Sequence, residues 1–463
     1  MEEKKIYQKD DILQTTITDV GSEGEGIGRV NGYTLFVKDV VIGDVVQVKI
    51  MKAKKHFAYA RLIEILSPSK DRVKAPCLFA KQCGGCQLQA MEYGKQLLFK
   101  KDKVKNNLVR IGGFLAEEID RMMEEPVGMQ EPFHYRNKAQ FPFGYDKDGN
   151  IITGFYAGRT HAIIQNTDCM LGVKENKEIL EIILDFFRSE KLTAYREENQ
   201  TGLLRHVLIR KGFTSGQLMV CLIINGNSIP HTNLLVKKLS EIPGMTSISY
   251  NINTKCTNVI MGEKTVNLWG EKRIEDSIGG LDFYISPLSF FQVNAVMTEQ
   301  IYRQALAYAD LSGQETVWDL YCGIGTISLF LAKKAKQVYG VEIIPQAIED
   351  ARENAVHNQI TNAEFFVGKA EEVLPSLYET KGIYADVIVV DPPRKGCEEE
   401  CLETIVKMNP KRVVYVSCDS ATLARDMAYL REHGFYPQKI RTFDNFPQSV
   451  HVEVVTCLQR VDM

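Results

Sequence analysis

Val317–Thr326 reads V-W-D-L-Y-C-G-I-G-T, an apolar run that ends near Asp319 and turns through Gly323 and Gly325 into the helical pattern Ile327–Ala335. Glycines at such a turn let the backbone approach a ligand closely, and the helix start beyond them offers unpaired N–H donors. A second apolar run, Gln337–Val341, closes on Glu342, 23 residues beyond Asp319. A carboxylate about 20 residues past a glycine turn is where dinucleotide folds bind a ribose. The glycines do not follow G-x-G-x-x-G, which makes a nicotinamide cofactor the weaker reading. A glycine pair alone fits an ordinary tight turn equally well, so the surrounding chain has to decide.

Outward from this stretch the pattern is α/β. Ser289-Phe290-Phe291-Gln292-Val293-Asn294 leads into a helix over Val296–Ala309, and a further helix is expected over Pro345–His357. Strands are expected at Glu364–Gly368, at Ala385–Val390 before Asp391-Pro392-Pro393-Arg394, and at Arg412–Val416 before Ser417-Cys418-Asp419, with a helix over Glu399–Met408. A last β pair falls around Ile440–Phe443 and Val450–Leu458. Strand–helix alternation implies a mostly parallel sheet with its chemistry at the carboxyl ends of the strands. Those ends carry Asp319, Glu342, Asp391 and Cys418. With D-x-x-x-G-x-G and an acid-ended second strand, the region resembles the S-adenosylmethionine loop of Rossmann-like methyltransferases.

The chain has 463 residues, 44% hydrophobic and 25% charged, enough for about three domains with sizeable cores. Its charged start and the lack of a long apolar run predict a cytoplasmic protein with no membrane segment. The net charge of −3 hides an asymmetry. Residues 1–110 carry 20 Lys/Arg against 13 Asp/Glu, and residues 313–463 carry 16 against 22. A basic front suits a polyanionic partner, although a solvated basic face would look the same.

Five short strands are expected at Leu13–Val20, Gly26–Val30, Tyr33–Phe36, Asp44–Met51 and Phe57–Ile65, the pattern of a small oligonucleotide-binding barrel. Lys49, Lys52, Lys54, Lys55, His56 and Arg61 beside Phe57 and Tyr59 would supply phosphate contacts and stacking faces. Gly24-Glu25-Gly26-Ile27-Gly28-Arg29 and Gly43-Asp44 resemble a TRAM domain, an RNA-binding barrel. Cys77, Cys83 and Cys86 follow as C-x5-C-x2-C, a strong metal signal in a reducing compartment, with Cys169 as the best fourth ligand. Four thiolates suit zinc or an iron–sulfur cluster, and spacing leaves both open. A lysine-rich helix is expected over Tyr93–Gly112. Beyond it lies a β-rich region in which His134–Tyr145 interleaves cations with aromatics, a surface able to stack bases and hold phosphates.

Phe291-Gln292-Val293-Asn294, Asp319-Leu320-Tyr321-Cys322-Gly323, Asp391-Pro392-Pro393-Arg394, Ser417-Cys418-Asp419 and His451-Val452-Glu453-Val454 occur in this order. As a set they resemble the RNA uridine-5-methyltransferase family. C-x5-C-G-G-C with a distant cysteine is similar to the 4Fe–4S site of its 23S ribosomal RNA members. The resemblance implies three parts: an OB-like TRAM barrel over 1–66, a central α+β region with a 4Fe–4S cluster on Cys77, Cys83, Cys86 and Cys169 over 67–285, and a class I methyltransferase domain over 286–463. It implies Cys418 as nucleophile and Glu453 as base. Gln292, Tyr321, Thr326, Glu342 and Asp391 would line the S-adenosylmethionine site, with Asp391 and Arg394 near the target base. One departure is Cys-Asp-Ser after the nucleophile, where relatives often have Cys-Asn-Pro.

The expected activity is methyl transfer to carbon 5 of a uridine in 23S ribosomal RNA, with no obligate protein partner. The resemblance implies that transfer RNA relatives lack the barrel and the cysteine cluster, which favours ribosomal RNA. A non-catalytic, redox-sensing RNA-binding protein would explain the front of the chain but not Cys418 and Glu453.

Overall fold

The computed structural model describes residues 7–158 and 160–461. The start of the chain, Met1–Ile6, lies outside them. Two compact units form among the described residues: one comprises 7–100, 155–158, 160–164 and 446–450, and the other comprises 101–154, 165–445 and 451–461.

The first unit opens with β1 (Ile12–Val20), β2 (Gly26–Val30), β3 (Tyr33–Val37), β4 (Val45–Ala53) and β5 (Phe57–Ser67), closed as a barrel in the order β1-β2-β3-β5-β4. Alternation builds its core: Val46, Val48 and Ile50 of β4 are fully buried and meet Leu35, Val37 and Ala58. Glycine at 28 is a packing requirement, since a Cβ there would come within 2.6 Å of the Thr15 side chain. Asp44, fully buried, accepts from Val41 N at 2.6 Å, Ser69 N at 2.9 Å and Arg72 Nε at 3.0 Å, which fixes the exit of the barrel.

The cysteine loop follows, then helix α1 (Tyr93–Arg110). Segment 446–450 packs in this first unit. Gln448 O accepts from Gln87 N and Leu88 N at 2.9 and 3.0 Å, and the Gln96 and Gln448 side chains meet at 3.1 Å.

The chain continues with α2 (Ala116–Met122), and the central sheet of β6 (Lys138–Tyr145), β7 (Ile151–Tyr156), β8 (Ile163–Gln165), β9 (Leu204–Lys211), β10 (Leu218–Ile224), β11 (Met245–Ile252) and β12 (Lys264–Gly270). Strand order is β12-β11-β10-β9-β6-β7-β8, and helices α3 (Glu175–Ser189) and α4 (Thr232–Ser240) belong to the same stretch of chain. The region is α+β, as expected. The hairpin β13 (Ile274–Ile278) and β14 (Leu281–Ile285) precedes the last domain.

That domain comprises α5 (Ala295–Ala309), β15 (Thr316–Leu320), α6 (Thr326–Ala332), β16 (Gln337–Glu342), α7 (Pro345–His357), β17 (Ala363–Val367), α8 (Ala370–Lys381), β18 (Val387–Val390), α9 (Glu399–Met408), β19 (Arg412–Ser417), α10 (Ser420–Glu432), β20 (Phe435–Phe443) and β21 (Glu453–Arg460). The sheet order is β17-β16-β15-β18-β19-β21-β20. All pairs are parallel up to β19, and β21 runs antiparallel between β19 and β20. β15, β18 and β19 are buried on both faces, which is why they read as unbroken apolar runs. The order reverses between β15 and β18, so the crevice at their carboxyl ends is where such a sheet binds ligands.

Candidate active site

A cleft opens at that crevice. It is lined by Phe290, Gln292, Tyr302, Tyr321, Thr326 and Asp391, together with the glycine turn. Gly323 and Gly325 hold φ of +54° and +81°, and Tyr321 holds +68°, a left-handed backbone that side chains rarely adopt. A Cβ at Gly323 would meet nothing within 4 Å, so the turn faces open space there. Tyr302, which sequence reasoning missed, shares a 2.9 Å hydroxyl hydrogen bond with Thr326. Its one signal was its position in α5, on the helix that the Gln292 segment enters. Asp319 is fully buried with Oδ2 taken by the Ser328 hydroxyl and Oδ1 without a partner. Burial pushes its carboxyl up to about 7.

Of the five residues expected to line the methyl-donor site, Gln292, Tyr321, Thr326 and Asp391 meet in this cleft. Glu342 lies at the end of β16, beside β15, where its Oε1 accepts from Ile344 N at 3.1 Å. Apolar walls from Phe290, Phe291 and Ile324, a few polar groups from Gln292, Tyr321, Thr326 and Asp391, and the glycine turn suit a ligand with apolar and polar parts such as S-adenosylmethionine.

Cys418 and Glu453 come together through register. Ser417, the last residue of β19, pairs with Val454 across the antiparallel ladder, so the next residue of one strand faces the preceding residue of the other. Only an antiparallel strand can bring its first residue, Glu453, to the edge where parallel strands end. Cys418 is half-buried and Glu453 is buried. Burial, reinforced by the Glu453 and Asp391 charges, pushes the Cys418 thiol up to about 12, and Arg394 opposes the shift. Burial, with the Asp391 charge, lifts Glu453 to about 8, opposed by Asn445 and Arg394. Burial alone holds Asp391 at about 7. The site thus gathers a thiol, two carboxyls poised near neutrality and one cation.

Helix α10 clasps the Arg394 loop. Thr422 Oγ1 donates to Arg394 O at 3.2 Å, and Arg425 Nη2 donates to Lys395 O and Cys397 O at 3.0 and 3.1 Å. Buried Asp426 accepts from Cys397 N at 2.9 Å and Tyr415 OH at 2.6 Å. Asp419 caps α10 by accepting from Ala421 N and Thr422 N at 2.9 and 3.2 Å. Asn294 caps α5, and its Nδ2 donates to Asn445 O at 3.1 Å, tying the Gln292 segment to the approach of Glu453.

The cysteine loop is a tight wrap. Cys83 N donates to Phe79 O at 2.8 Å, Gly84 N to Tyr156 O at 3.2 Å and Gly85 N to Cys83 Sγ at 3.4 Å. Cys77, Cys83, Cys86 and Cys169 are half-buried. Among the described residues, however, no three His, Cys, Asp or Glu side chains are gathered as a metal site. The donor chemistry of four thiols suits zinc or an iron–sulfur cluster, and no step of the reaction is routed through either. Nor, among the described residues, is any helix long and apolar enough to cross a membrane.

The parallel sheet, its antiparallel strand and the cleft at the switch point define a class I methyltransferase fold joined to a small barrel. The profile described as tRNA (uracil-5-)-methyltransferase matches residues 281–461, and the TRAM domain profile matches residues 12–63. The chain is 46% identical over 449 residues to an uncharacterized RNA methyltransferase of Clostridium tetani, covering 97% of this chain and 96% of that one. It is 47% identical over 463 residues to another from Clostridium acetobutylicum, covering 100% of both. The chain belongs to this family of RNA uracil-5-methyltransferases.

Among solved structures it is similar to the Pyrococcus abyssi tRNA (uracil-54, C5)-methyltransferase in complex with S-adenosyl-L-homocysteine, with a TM-score of 0.76 and 27% identity over 96% of this chain and 100% of that one. That coverage corrects one expectation. A match over 96% of this chain takes in most of the front barrel, so possession of a barrel does not separate ribosomal from transfer RNA enzymes.

Proposed function

We propose that the protein transfers a methyl group from S-adenosylmethionine to carbon 5 of a uridine in RNA, with Cys418 as nucleophile and Glu453 as base. The observation that carries this reading is the pairing of Ser417 with Val454, which sets thiol and carboxyl at one sheet edge beside Asp391 and Arg394. Uracil has no strongly nucleophilic carbon at position 5. Addition of the Cys418 sulfur to carbon 6 makes the ring an enolate that attacks through carbon 5. When bound, S-adenosylmethionine supplies the electrophilic methyl. Glu453 then takes the carbon-5 proton, the carbon–sulfur bond breaks, and methylated uridine leaves with the thiolate restored. Arg394 favours both the thiolate and the enolate. Gln292, Tyr321, Thr326, Glu342 and Asp391 hold the methyl donor, and the target uridine is turned out of its stack to reach the edge.

The RNA in this reading is 23S ribosomal RNA, supported by the likeness of the cysteine spacing to that group. A second reading, transfer RNA, is favoured by the likeness to the Pyrococcus enzyme. The 4Fe–4S cluster on Cys77, Cys83, Cys86 and Cys169 is supported by donor chemistry alone, with a structural role. Residues 1–66 serve as an RNA-binding barrel, 67–285 as the cluster and central RNA-binding region, and 286–463 as the methyltransferase domain of a cytoplasmic enzyme. Incubation with labelled S-adenosylmethionine and separate 23S and transfer RNA transcripts tests the reading. Label at carbon 5 of uridine in the 23S transcript supports it, label in transfer RNA alone supports the second reading, and binding without transfer contradicts both.

A further inference from the structure

A buried amide beside Glu453 has both its ends unspent. Asn445 follows β20, two residues after Phe443, which pairs with Glu453 across the β20–β21 ladder. Its backbone is pinned: Asp444 N donates to Val127 O at 2.9 Å, and Asn445 O accepts from Asn294 Nδ2 at 3.1 Å. Asn294 is itself fully buried and caps α5, which makes the anchor a firm one. The side chain is not tied down in the same way. Asn445 is 1% exposed, and among the described residues neither its Nδ2 nor its Oδ1 has a hydrogen-bond partner. A buried amide left unsatisfied costs stability, and such groups are rare in native proteins. Asn445 nevertheless lies close enough to Glu453 to oppose the upward push on its carboxyl. The two side chains are neighbours, and the bond between them stands open.

The groups around Glu453 show what an unspent amide adds. Asp391 after β18, Arg394 on the loop that follows, Cys418 after β19 and Tyr302 of α5 are the titratable groups in electrostatic reach of it. Arg394 can only donate, so it serves the carboxylate and not the acid. Tyr302 shares its hydroxyl with Thr326. An amide carries donor hydrogens on Nδ2 and an acceptor on Oδ1. Nδ2 can donate to the carboxylate that awaits the carbon-5 proton, and Oδ1 can accept from the carboxylic acid that results. Because neither atom is held elsewhere, the amide can turn over between these states without breaking another bond.

We propose that Asn445 is the positioning residue of the base, holding the Glu453 carboxyl in place both before and after it takes the carbon-5 proton. The proposal rests on the methyl-transfer reading in which Glu453 is that base. The proton passes from carbon 5 to a Glu453 oxygen, the carbon–hydrogen electron pair closes the ring double bond, and the carbon–sulfur pair leaves with Cys418. Asn445 gains and loses no atom in this step; it acts through Glu453. The competing role for the amide is direct contact with the edge of the uracil ring, whose N3–H and carbonyl groups it also complements.

The test compares the full-length parent with Asn445→Leu, which keeps the shape and removes the amide. The probes are S-adenosylmethionine labelled in its methyl group and pooled 23S and transfer RNA transcripts. Asn445→Leu is expected to move the rising limb of kcat/KM to higher pH by about one pH unit, which lowers the rate near pH 7 about tenfold. The labelled protein–RNA band that resists denaturation is expected to form as in the parent and to decay more slowly in a chase with unlabelled donor. Tm is expected not to fall, because an apolar group of the same shape replaces an unsatisfied amide. Asn445→Gln, which keeps the amide, is expected to move the limb less. If Asn445→Leu does not fold, Asn445→Ala carries the same expectation for the limb and the band. Superimposable limbs with parental decay of the band overturn the proposal. So does an unmoved limb with a raised KM for RNA, which assigns the amide to the uracil edge. Methyl transfer by the parent and a trapped band in Glu453→Gln stand or fall without Asn445. Their absence removes the methyl-transfer reading and the proposal with it, and their presence with an unmoved limb in Asn445→Leu counts against Asn445 alone.

Discussion

At the scale of single residues, the site sets a thiol that resists ionisation beside a carboxyl that, as the proposed base, has to be ionised. Glu453 at about 8 predicts that kcat/KM rises with pH through about 8, since a general base works only when deprotonated. Arg394 opposes both upward shifts, so Arg394→Gln is expected to move that limb to higher pH and lower the rate at pH 7.5 by at least about tenfold. A pH–rate profile of the two proteins checks this, and superimposable limbs contradict it. The same shift has a stability side. Glu453 has a folded value raised above its ordinary 4.5, so its stabilising contribution is present in acid and is lost as pH rises through about 8. Glu453→Gln escapes that loss, and its Tm relative to the parent is expected to climb between pH 5 and pH 9. A flat difference contradicts the burial argument. The partnership of Cys418 and Glu453 was legible as family motifs but not as geometry, because a register between strands distant in sequence leaves no local signal. Tyr302 was illegible for a related reason: a tyrosine in a helix interior reads as core until the turn it touches is known.

At the scale of elements, the glycine turn is the most exacting piece of backbone. Gly325 sits at φ +81°, and a Cβ there would come within 3.0 Å of the Phe365 ring. Gly325→Ala combines left-handed strain of roughly 1–2 kcal/mol with that contact. Calorimetry is expected to show S-adenosylhomocysteine binding weakened by more than about tenfold; parental affinity would mean the turn tolerates what its geometry forbids. On the barrel, the rings of Phe36, Phe57 and Tyr59 lie 5.7 Å apart, with Tyr59 39% exposed. Base stacking on such a ring contributes about 1–3 kcal/mol, so Tyr59→Ala is expected to weaken oligouridine binding at least about fivefold with little change in Tm. Equal affinity would move RNA binding off this face. Strands were the easiest elements to read, because period-two alternation marks the barrel and unbroken apolar runs mark β15 and β18. Helix α8 carries Pro375 inside it, a residue that breaks a sequence-based helix assignment, and α10 begins only where Asp419 caps it.

At the scale of the whole molecule, a basic front and an acidic methyltransferase domain were visible in the charge counts, and the order of motifs set the order of parts. Whether the four cysteines come together is not legible in their spacing. Spacing marks candidate ligands, but whether thiols meet is decided by packing between residues far apart in sequence. Protein purified without oxygen is expected to hold about four irons per chain, lost on Cys83→Ser; colourless protein with one zinc contradicts the cluster. The proposed function turns on one claim, that methyl transfer runs through a covalent bond to Cys418. The most direct measurement of that claim is a denaturing gel of Glu453→Gln after incubation with RNA and S-adenosylmethionine labelled in its methyl group. In the proposed reaction this variant still attacks and transfers the methyl group but cannot remove the proton. The account predicts a protein–RNA band that survives denaturation, carries the label, and vanishes when Cys418→Ala is added to the same chain. Turnover of Glu453→Gln at the parental rate with no trapped band would contradict it.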